Sequence, residues 1–135
     1  MRMKSRYDEL SDFAAWHIQQ ALKVTRQLLE NEESWIQGEN ARDANGDRVR
    51  PNDLAAVKWS LSGAIMAAYS RVNPELGWDL VEDTEDEIMF FVAGPMSENI
   101  YEFNDRAGHG NILDALDHAI IVYRHVDKPK EMDED

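Results

Sequence analysis

The chain has 135 residues, of which 43% are hydrophobic, and this is enough for one folded domain with a buried core. It contains no cysteine, which excludes disulfides and thiolate metal sites. The formal net charge of −13 argues against direct binding to nucleic acid, because phosphate recognition needs clustered lysine and arginine. A charge of this sign and size instead permits attraction to a basic protein surface.

The two ends of the chain are polar. Residues 1–8 carry basic side chains with no apolar stretch after them, so no signal peptide is expected. No segment approaches the roughly 18 apolar residues of a membrane-spanning helix. We therefore expect a cytoplasmic protein with no membrane partner. Its parts would be an N-terminal arm (1–10), a single helical domain (11–126) and a disordered acidic tail (127–135).

Apolar residues recur at helical spacing in the first third of the chain. Ser11 or Asp12 can cap a helix that runs to about Asn31. His17 falls within the apolar face, where a core histidine is the simpler interpretation. Trp16 falls among the polar residues, and it either packs against a loop or is exposed to a partner.

A polar segment follows this helix and predicts a turn. Asn45-Gly46 is a strong hairpin signal, because both residues tolerate positive φ. The spacing Asp43-x-Asn45-x-Asp47 resembles the start of a calcium loop. However, Arg48 and Leu54 occupy the positions that need glycine and glutamate, so calcium is not expected.

The next segment is apolar on nearly all sides. Asp53 is a suitable N-cap for a helix from Leu54 to about Arg71, which would be the central helix of the domain. Gly63 and the alanines around it would allow neighbouring elements to approach closely.

The C-terminal half gives more ambiguous signals. Thr84 to Glu87 is a capping-box pattern, so we predict a helix over residues 84–93, although its composition also suits a strand. Ile100 to Phe103 reads as an extended piece, and Asn111 as the cap of a last helix that ends near Val126. The predicted fold is mainly α, a compact domain of three to four helices with a small β-hairpin or loop after the first helix.

Two groups of residues could carry chemistry. Asn104, Asp105, Arg106 and His109 could form a ligand or enzyme site, with Asp as a base and His as a proton shuttle. Asx residues before a glycine-rich turn also have a structural explanation, because their side chains bond the local backbone. Asp114, His118 and His125 share one helix face but one open to water, so we predict neither a metal nor a cofactor.

Acidic residues are concentrated in one segment and in the tail. They form either a solvated surface or a docking surface for a basic protein. With Trp16, the candidate partner-binding residues are Asp79, Glu82, Asp83, Glu85, Asp86 and Glu87.

Several short motifs resemble a bacterial and phage family, the domain of unknown function 6197, over about residues 18–125. They are Trp35-Ile36-Gln37-Gly38, Ala41 to Gly46, Trp59 to Ala64 and Phe103-Asn104-Asp105, the last followed by a helix like Ile112 to Asp117. Family members often have a cysteine near Trp59 and a tryptophan at the position of Phe103. This chain has Ser60 and Phe103, so any role of that thiol is absent. The resemblance implies a compact, mostly helical domain and supplies no activity.

Two functional hypotheses remain. The first is a small acidic, non-enzymatic protein-binding module, encoded by a phage or mobile element, that acts on a basic host protein. The second is a small enzyme or ligand-binding domain with a site around Asn104, Asp105 and His109. A homo-oligomer that uses Trp16 is a third outcome. We also expect Trp35, Trp59 and Phe103 to lie at the joints between elements.

Overall fold

The computed structural model describes residues 11–76, 79–93 and 99–129, which form five α-helices and one two-stranded antiparallel sheet. In chain order they are α1 (Asp12–Leu28), β1 (Ala41–Asp43), β2 (Ala56–Trp59), α2 (Leu61–Val72), α3 (Asp79–Ala93), α4 (Ile100–Arg106) and α5 (His109–Tyr123). Short 3-10 turns occupy Glu32–Ser34 and Pro74–Leu76. The mainly α prediction with a small hairpin is confirmed, but three to four helices was too few.

The core lies between α1, α2, α3 and α5. Helix α1 packs against both α2 and α5, and α3 packs against α5 and α2. The side chains that fill the core are fully buried and apolar, among them Ile18, Leu22, Ile65, Ile88 and Leu116. Because α2 also contacts α4, it occupies the central position that its apolar sequence predicts.

Helix α1 begins as predicted, with Ser11 as its N-cap. The Ser11 hydroxyl accepts a hydrogen bond from the Ala14 backbone N–H at 3.2 Å. His17 is buried, and its Nδ1 donates to the Phe13 carbonyl at 2.9 Å. Its other ring nitrogen lies 3.5 Å from the Asn73 side-chain amide. His17 is therefore a satisfied core histidine.

The predicted Asn45-Gly46 hairpin is present, and of the two residues only the glycine uses the positive φ that both tolerate. Only Gly46 of this pair has positive φ, at +85°. The Gly46 N–H donates to the Asp43 carbonyl at 3.0 Å, and the Asp43 N–H donates to the Asp47 carbonyl at 2.9 Å. This is a three-residue loop that ends in a left-handed glycine. The Asp43 carboxylate accepts from the Asn45 and Asp47 backbone N–H groups, which fixes the turn from within.

The predicted helix from Leu54 to Arg71 was wrong at its start, because residues 56–59 are strand β2. Asp53 caps only a turn, accepting from the Ala55 N–H at 2.8 Å. The strand pairs with β1, with Ala41 opposite Trp59. Ser60 is the true N-cap of α2, and its hydroxyl accepts from the Gly63 N–H at 3.0 Å. A non-local strand pairing has overridden a local capping signal.

Three boundaries in the C-terminal half also differ from the prediction. Residues 100–103 are not extended but begin α4, whose N-cap Asn99 accepts from the Glu102 N–H at 2.9 Å. Helix α5 begins at His109, with Gly108 as N-cap in place of Asn111. The helix over residues 84–93 is confirmed, but it starts at Asp79. Thr84 is therefore internal, and its hydroxyl donates to the Leu80 carbonyl at 2.6 Å instead of capping.

The predicted arm (1–10) and residues 130–135 of the predicted tail lie outside the described residues. Among the helices of the described ranges, none combines the length and apolar content needed to cross a membrane.

Candidate functional site

Asn104 joins three separate segments of the chain. Its side-chain oxygen accepts from the Trp35 indole N–H at 2.7 Å and from the Leu61 backbone N–H at 2.9 Å. Its side-chain nitrogen donates to the Ile36 carbonyl at 3.0 Å. Leu61 is the first residue of α2, so Asn104 satisfies one of the unpaired N–H groups at that helix terminus. The residue is only 2% exposed, as expected for an amide with its hydrogen bonds made inside the protein.

The residues beside Trp35 complete this connection. The Gln37 side-chain amide reaches three carbonyls at the end of α4, those of Asn104, Asp105 and Ala107, at 2.9–3.3 Å. The Gly38 N–H donates to the Asp105 carboxylate at 2.8 Å. Gly38 has φ of +86°, a conformation that favours glycine. Residues 35–38 therefore dock against the C-terminal end of α4, and we call this set of contacts the joint.

His109 lies at the edge of the joint and forms its hydrogen bond to a segment that Asn104 does not bond. Its Nε2 donates to the Leu29 carbonyl at 2.6 Å, which ties the start of α5 to the end of α1. Its ring lies 5.9 Å from that of Trp35. The residues selected from the sequence therefore lie in one region of the fold. However, Asn104 and His109 bond different elements, and their side chains do not converge on one point.

Trp59 and Phe103 lie near the joint and are both buried. The Trp59 indole donates to the Pro51 carbonyl at 3.0 Å, and the Arg71 guanidinium lies 5.7 Å from its ring centre. The side chain of Trp35 is half-buried and packs against the core. The expectation that Trp35 lies at a joint is confirmed by its bond to Asn104.

A polar cleft of about 450 Å³ opens beside the joint. One wall is the loop of residues 38–40 with Arg48 from the hairpin, and the floor is Ser60 and Ser62 at the start of α2. Helix α4 forms a further side and contributes Ile100, Tyr101, Asn104 and Asp105. Asn104 and Asp105 thus have a structural contact on one side and face this cleft on the other. We call this cavity the polar cleft.

Glu39 ties the hairpin to one wall of the polar cleft. Its carboxylate contacts the guanidinium of Arg42 and, at 2.6 Å, that of Arg48. The Glu39 side chain is 13% exposed, whereas that of Arg48 is 79% exposed. The ion pair with Arg48 therefore lies at the mouth of the cleft, where solvent weakens it.

Arg106 lies apart from the polar cleft. It is exposed at the end of α4 and lines a second cavity of about 290 Å³ with Asn111, Asp114 and His118 of α5. His125 is exposed beyond α5 and accepts from the Arg124 guanidinium at 3.0 Å. Among the described residues, no group of three or more His, Asp or Glu side chains is placed to hold a metal ion.

The acidic candidates on α3 differ in their exposure. Glu82 and Asp86 are exposed, while Asp83 and Glu85 are half-buried. Glu87 is fully buried, because it lies on the core side of the helix next to Ile88. It does not belong to the exposed surface. Asp79 is the first residue of α3, and its side chain lies outside the described part of the chain. Glu85 accepts a hydrogen bond from the Ser62 hydroxyl and is used within the protein. Glu82, Asp83 and Asp86 remain, and we call these three residues the acidic face.

Burial raises the pKa of Glu85, and the negative charges of Asp86 and Glu82 raise it further. A hydrogen bond from the Ser62 hydroxyl opposes this rise. The pKa of Tyr69 is also raised, chiefly by burial, while its hydrogen bond with Thr84 at 2.7 Å acts in the other direction.

One sequence signal for the acidic face was missed. No lysine or arginine occurs between Arg71 and Arg106, so no basic residue lies in the sequence between the acidic residues of α3 and those of α4. Trp16, the remaining partner-binding candidate, is half-buried on α1, with its ring edge-on to His17 at 5.0 Å. Part of its indole is therefore used in an internal contact.

These features describe a small acidic helical domain in which two distant motifs form one hydrogen-bonded joint beside a polar cleft. The chain belongs to the Family of unknown function (DUF6197), whose model matches residues 17–121. This range contains every residue of the joint and of the polar cleft. Comparisons with curated proteins and with solved structures found no match.

Proposed function

We propose that the protein is a small non-enzymatic binding module that presents its acidic face to a basic partner protein. The observation that supports this is the exposure of Glu82 and Asp86, with Asp83 beside them, in a stretch of chain without lysine or arginine. Residues four apart on a helix are neighbours, so these carboxylates form one compact surface.

Glu82 and Asp86 lie close to another carboxyl group, that of Glu85. The charges of Glu82 and Asp86 already raise the pKa of the nearby Glu85 carboxyl. A basic partner would relieve this repulsion, and the formal net charge of −13 would accelerate its approach. Electrostatic attraction of this kind contributes to the association rate and to specificity more than to raw affinity.

The chain offers a matched test of the acidic face. In one variant Glu82, Asp83 and Asp86 become Gln, Asn and Asn. In the control the exposed residues Glu30, Glu32 and Glu33 all become Gln, which removes the same total charge elsewhere. Proteins captured by the immobilised chain are identified and purified, and Kd is measured by calorimetry at low and high salt.

We expect the acidic-face variant to bind at least about tenfold more weakly, equivalent to about 1.4 kcal/mol, and the control to bind within about twofold of wild type. The wild-type Kd should rise with salt. Equal weakening of both variants would indicate only a response to net charge. Unchanged binding of the acidic-face variant would refute the proposal.

The setting we propose is the bacterial cytoplasm, with the gene carried by a phage or mobile element and the partner supplied by the host. The acidic charge and the absence of a recognisable catalytic motif support this assignment. Gene neighbourhood tests it: phage structural or anti-defence genes beside this gene would support it, and a metabolic operon would oppose it.

The alternative of a ligand-binding domain has its own supporting observation, the polar cleft lined by Asn104 and Asp105. Its enzymatic form has less support, because the His109 ring bonds the Leu29 carbonyl and is not among the cleft residues.

A further inference from the structure

The polar cleft has unused hydrogen-bonding capacity on its hairpin side and on its α4 side. On the hairpin side, Arg48 contacts Glu39 through Nε, and its terminal nitrogens have no partner among the described residues. On the α4 side, Asp105 uses Oδ1 for Gly38 and for a long contact with Asn104, and its second oxygen has no partner within the described ranges. The cleft therefore presents donors on one wall and an acceptor on the other.

Charged residues of both signs line the polar cleft: Glu39, Arg48 and Asp105. Glu39 pairs with Arg48 and also with Arg42, which lies outside the cleft lining, so the hairpin side carries a net positive charge when Arg42 is included. Asp105 makes the α4 wall negative. A strongly anionic ligand such as a phosphate would be repelled by Asp105 and Glu39, and a simple cation by the two arginines. A ligand with one charge of each sign matches both walls.

The size of the cleft and its aromatic residue restrict the class of ligand further. A volume of about 450 Å³ suits a small molecule rather than a protein segment. Tyr101 is 51% exposed on the α4 wall, and its ring offers a surface for an ammonium group or for an apolar side chain. A guanidinium pairs a carboxylate in bidentate geometry.

We propose that the polar cleft binds a small zwitterion of the α-amino-acid class. The ligand carboxylate pairs with the terminal nitrogens of Arg48, and its ammonium group pairs with the free oxygen of Asp105 beside Tyr101. This site is independent of the acidic face, since Glu82, Asp83 and Asp86 are not among the residues that line it.

The test uses the full chain labelled with ¹⁵N and the twenty common α-amino acids at millimolar concentration. Binding is read from shifts of the backbone amide signals of Gly38, Arg48, Ser62, Tyr101 and Asp105. The strongest binder is then compared with its N-acetyl and its C-amide derivatives, each of which lacks one charge. We expect either derivative to bind at least tenfold more weakly than the parent.

Two variants and one control separate the walls. Arg48→Ala should weaken the parent amino acid at least tenfold, while Arg50→Ala, an exposed arginine outside the cleft, should leave Kd unchanged. Asp105→Asn can keep the contact to the Gly38 N–H, and should weaken the parent but not the N-acetyl derivative. Variants that change only Glu82, Asp83 and Asp86 should bind the amino acid as wild type does, which keeps this test separate from that of the acidic face.

Three results would overturn the proposal. The first is the absence of any cleft shift with all twenty amino acids. The second is equal affinity of the parent and its N-acetyl or C-amide derivative. The third is a neutral sugar such as glucose shifting the same amide signals with higher affinity, which would assign the cleft to polyhydroxylated ligands.

Discussion

Replacing Asn104 by alanine tests whether the joint holds the domain together. The substitution removes three hydrogen bonds, those with the Trp35 indole, the Leu61 N–H and the Ile36 carbonyl. A typical bond contributes about 1 kcal/mol net, and a buried donor left without a partner costs about 1–3 kcal/mol. The Leu61 N–H lies at a buried helix terminus, so the loss of its hydrogen bond should contribute most to the destabilisation.

We expect Asn104→Ala to lower the free energy of unfolding by about 3–5 kcal/mol. The lower end applies if water from the adjacent polar cleft replaces part of the lost bonding. Since small domains have a total stability of about 5–15 kcal/mol, this loss would be large. Urea unfolding followed by far-ultraviolet circular dichroism measures it without depending on tryptophan fluorescence.

Asn111→Ala is the matched control, because Asn111 is exposed on α5 and has no side-chain hydrogen bond among the described residues. It should change stability by no more than about 0.5 kcal/mol. A double-mutant cycle of Asn104→Ala with Trp35→Phe isolates their shared bond, and a coupling of about 1 kcal/mol is expected. An Asn104→Ala variant within 1 kcal/mol of wild type, roughly one ordinary hydrogen bond, would refute the assignment of the joint.

Three further predictions concern packing, titration and capping. Gly63→Ala would place a Cβ 2.0 Å from the backbone oxygen of Asn40, so it should lower the free energy of unfolding by at least about 1–3 kcal/mol. The control Gly110→Ala meets open space and should be neutral or stabilising by up to about 1 kcal/mol. Urea unfolding measures both. Glu85→Gln resembles the protonated carboxyl that the folded state favours, so it should raise the melting temperature at neutral pH. Because the pKa of Glu85 is raised in the folded state, the wild type loses stability as the pH rises and Glu85 ionises. The gain from Gln should therefore shrink as the pH falls through the folded pKa. A gain independent of pH would contradict the assignment. Gln37→Glu would set a carboxylate against three carbonyl oxygens and should destabilise more than Gln37→Ala in the same urea assay; the reverse order would show that the amide contacts are unimportant.

The parts of the fold that depend on residues close together in the sequence could be predicted from it. Ser11 caps α1 because a side-chain oxygen three residues before a free N–H is a local arrangement. The need for a small residue at position 63 was also visible, and the Asn40 carbonyl supplies the reason. In both cases the pattern and the tertiary contact favour the same structure.

The errors occurred where a distant contact decides the local structure. Residues 56–59 pair with β1, and the isolated bridge between Trp35 and Trp59 adds a further contact along the strand. The Asp53 cap signal gives no information about either partner. Helix α4 has only seven residues, too few for a periodic pattern, and its stability comes from the Asn99 cap and from docking to residues 35–38.

The candidate site was only half predictable for the same reason. Asn104 and Asp105 could be selected by residue type, but the bond from Trp35 to Asn104 spans 69 positions and leaves no local trace. That bond also explains why Asn104 is a poor probe of function. Asn104 holds α4 against α2 and also lines the polar cleft, so any substitution of Asn104 alters the fold and the cleft together. Arg48, which meets the cleft from an exposed hairpin, separates the two roles. A loss of amino-acid binding with unchanged stability in Arg48→Ala would therefore show that the cleft has a function beyond that of the joint.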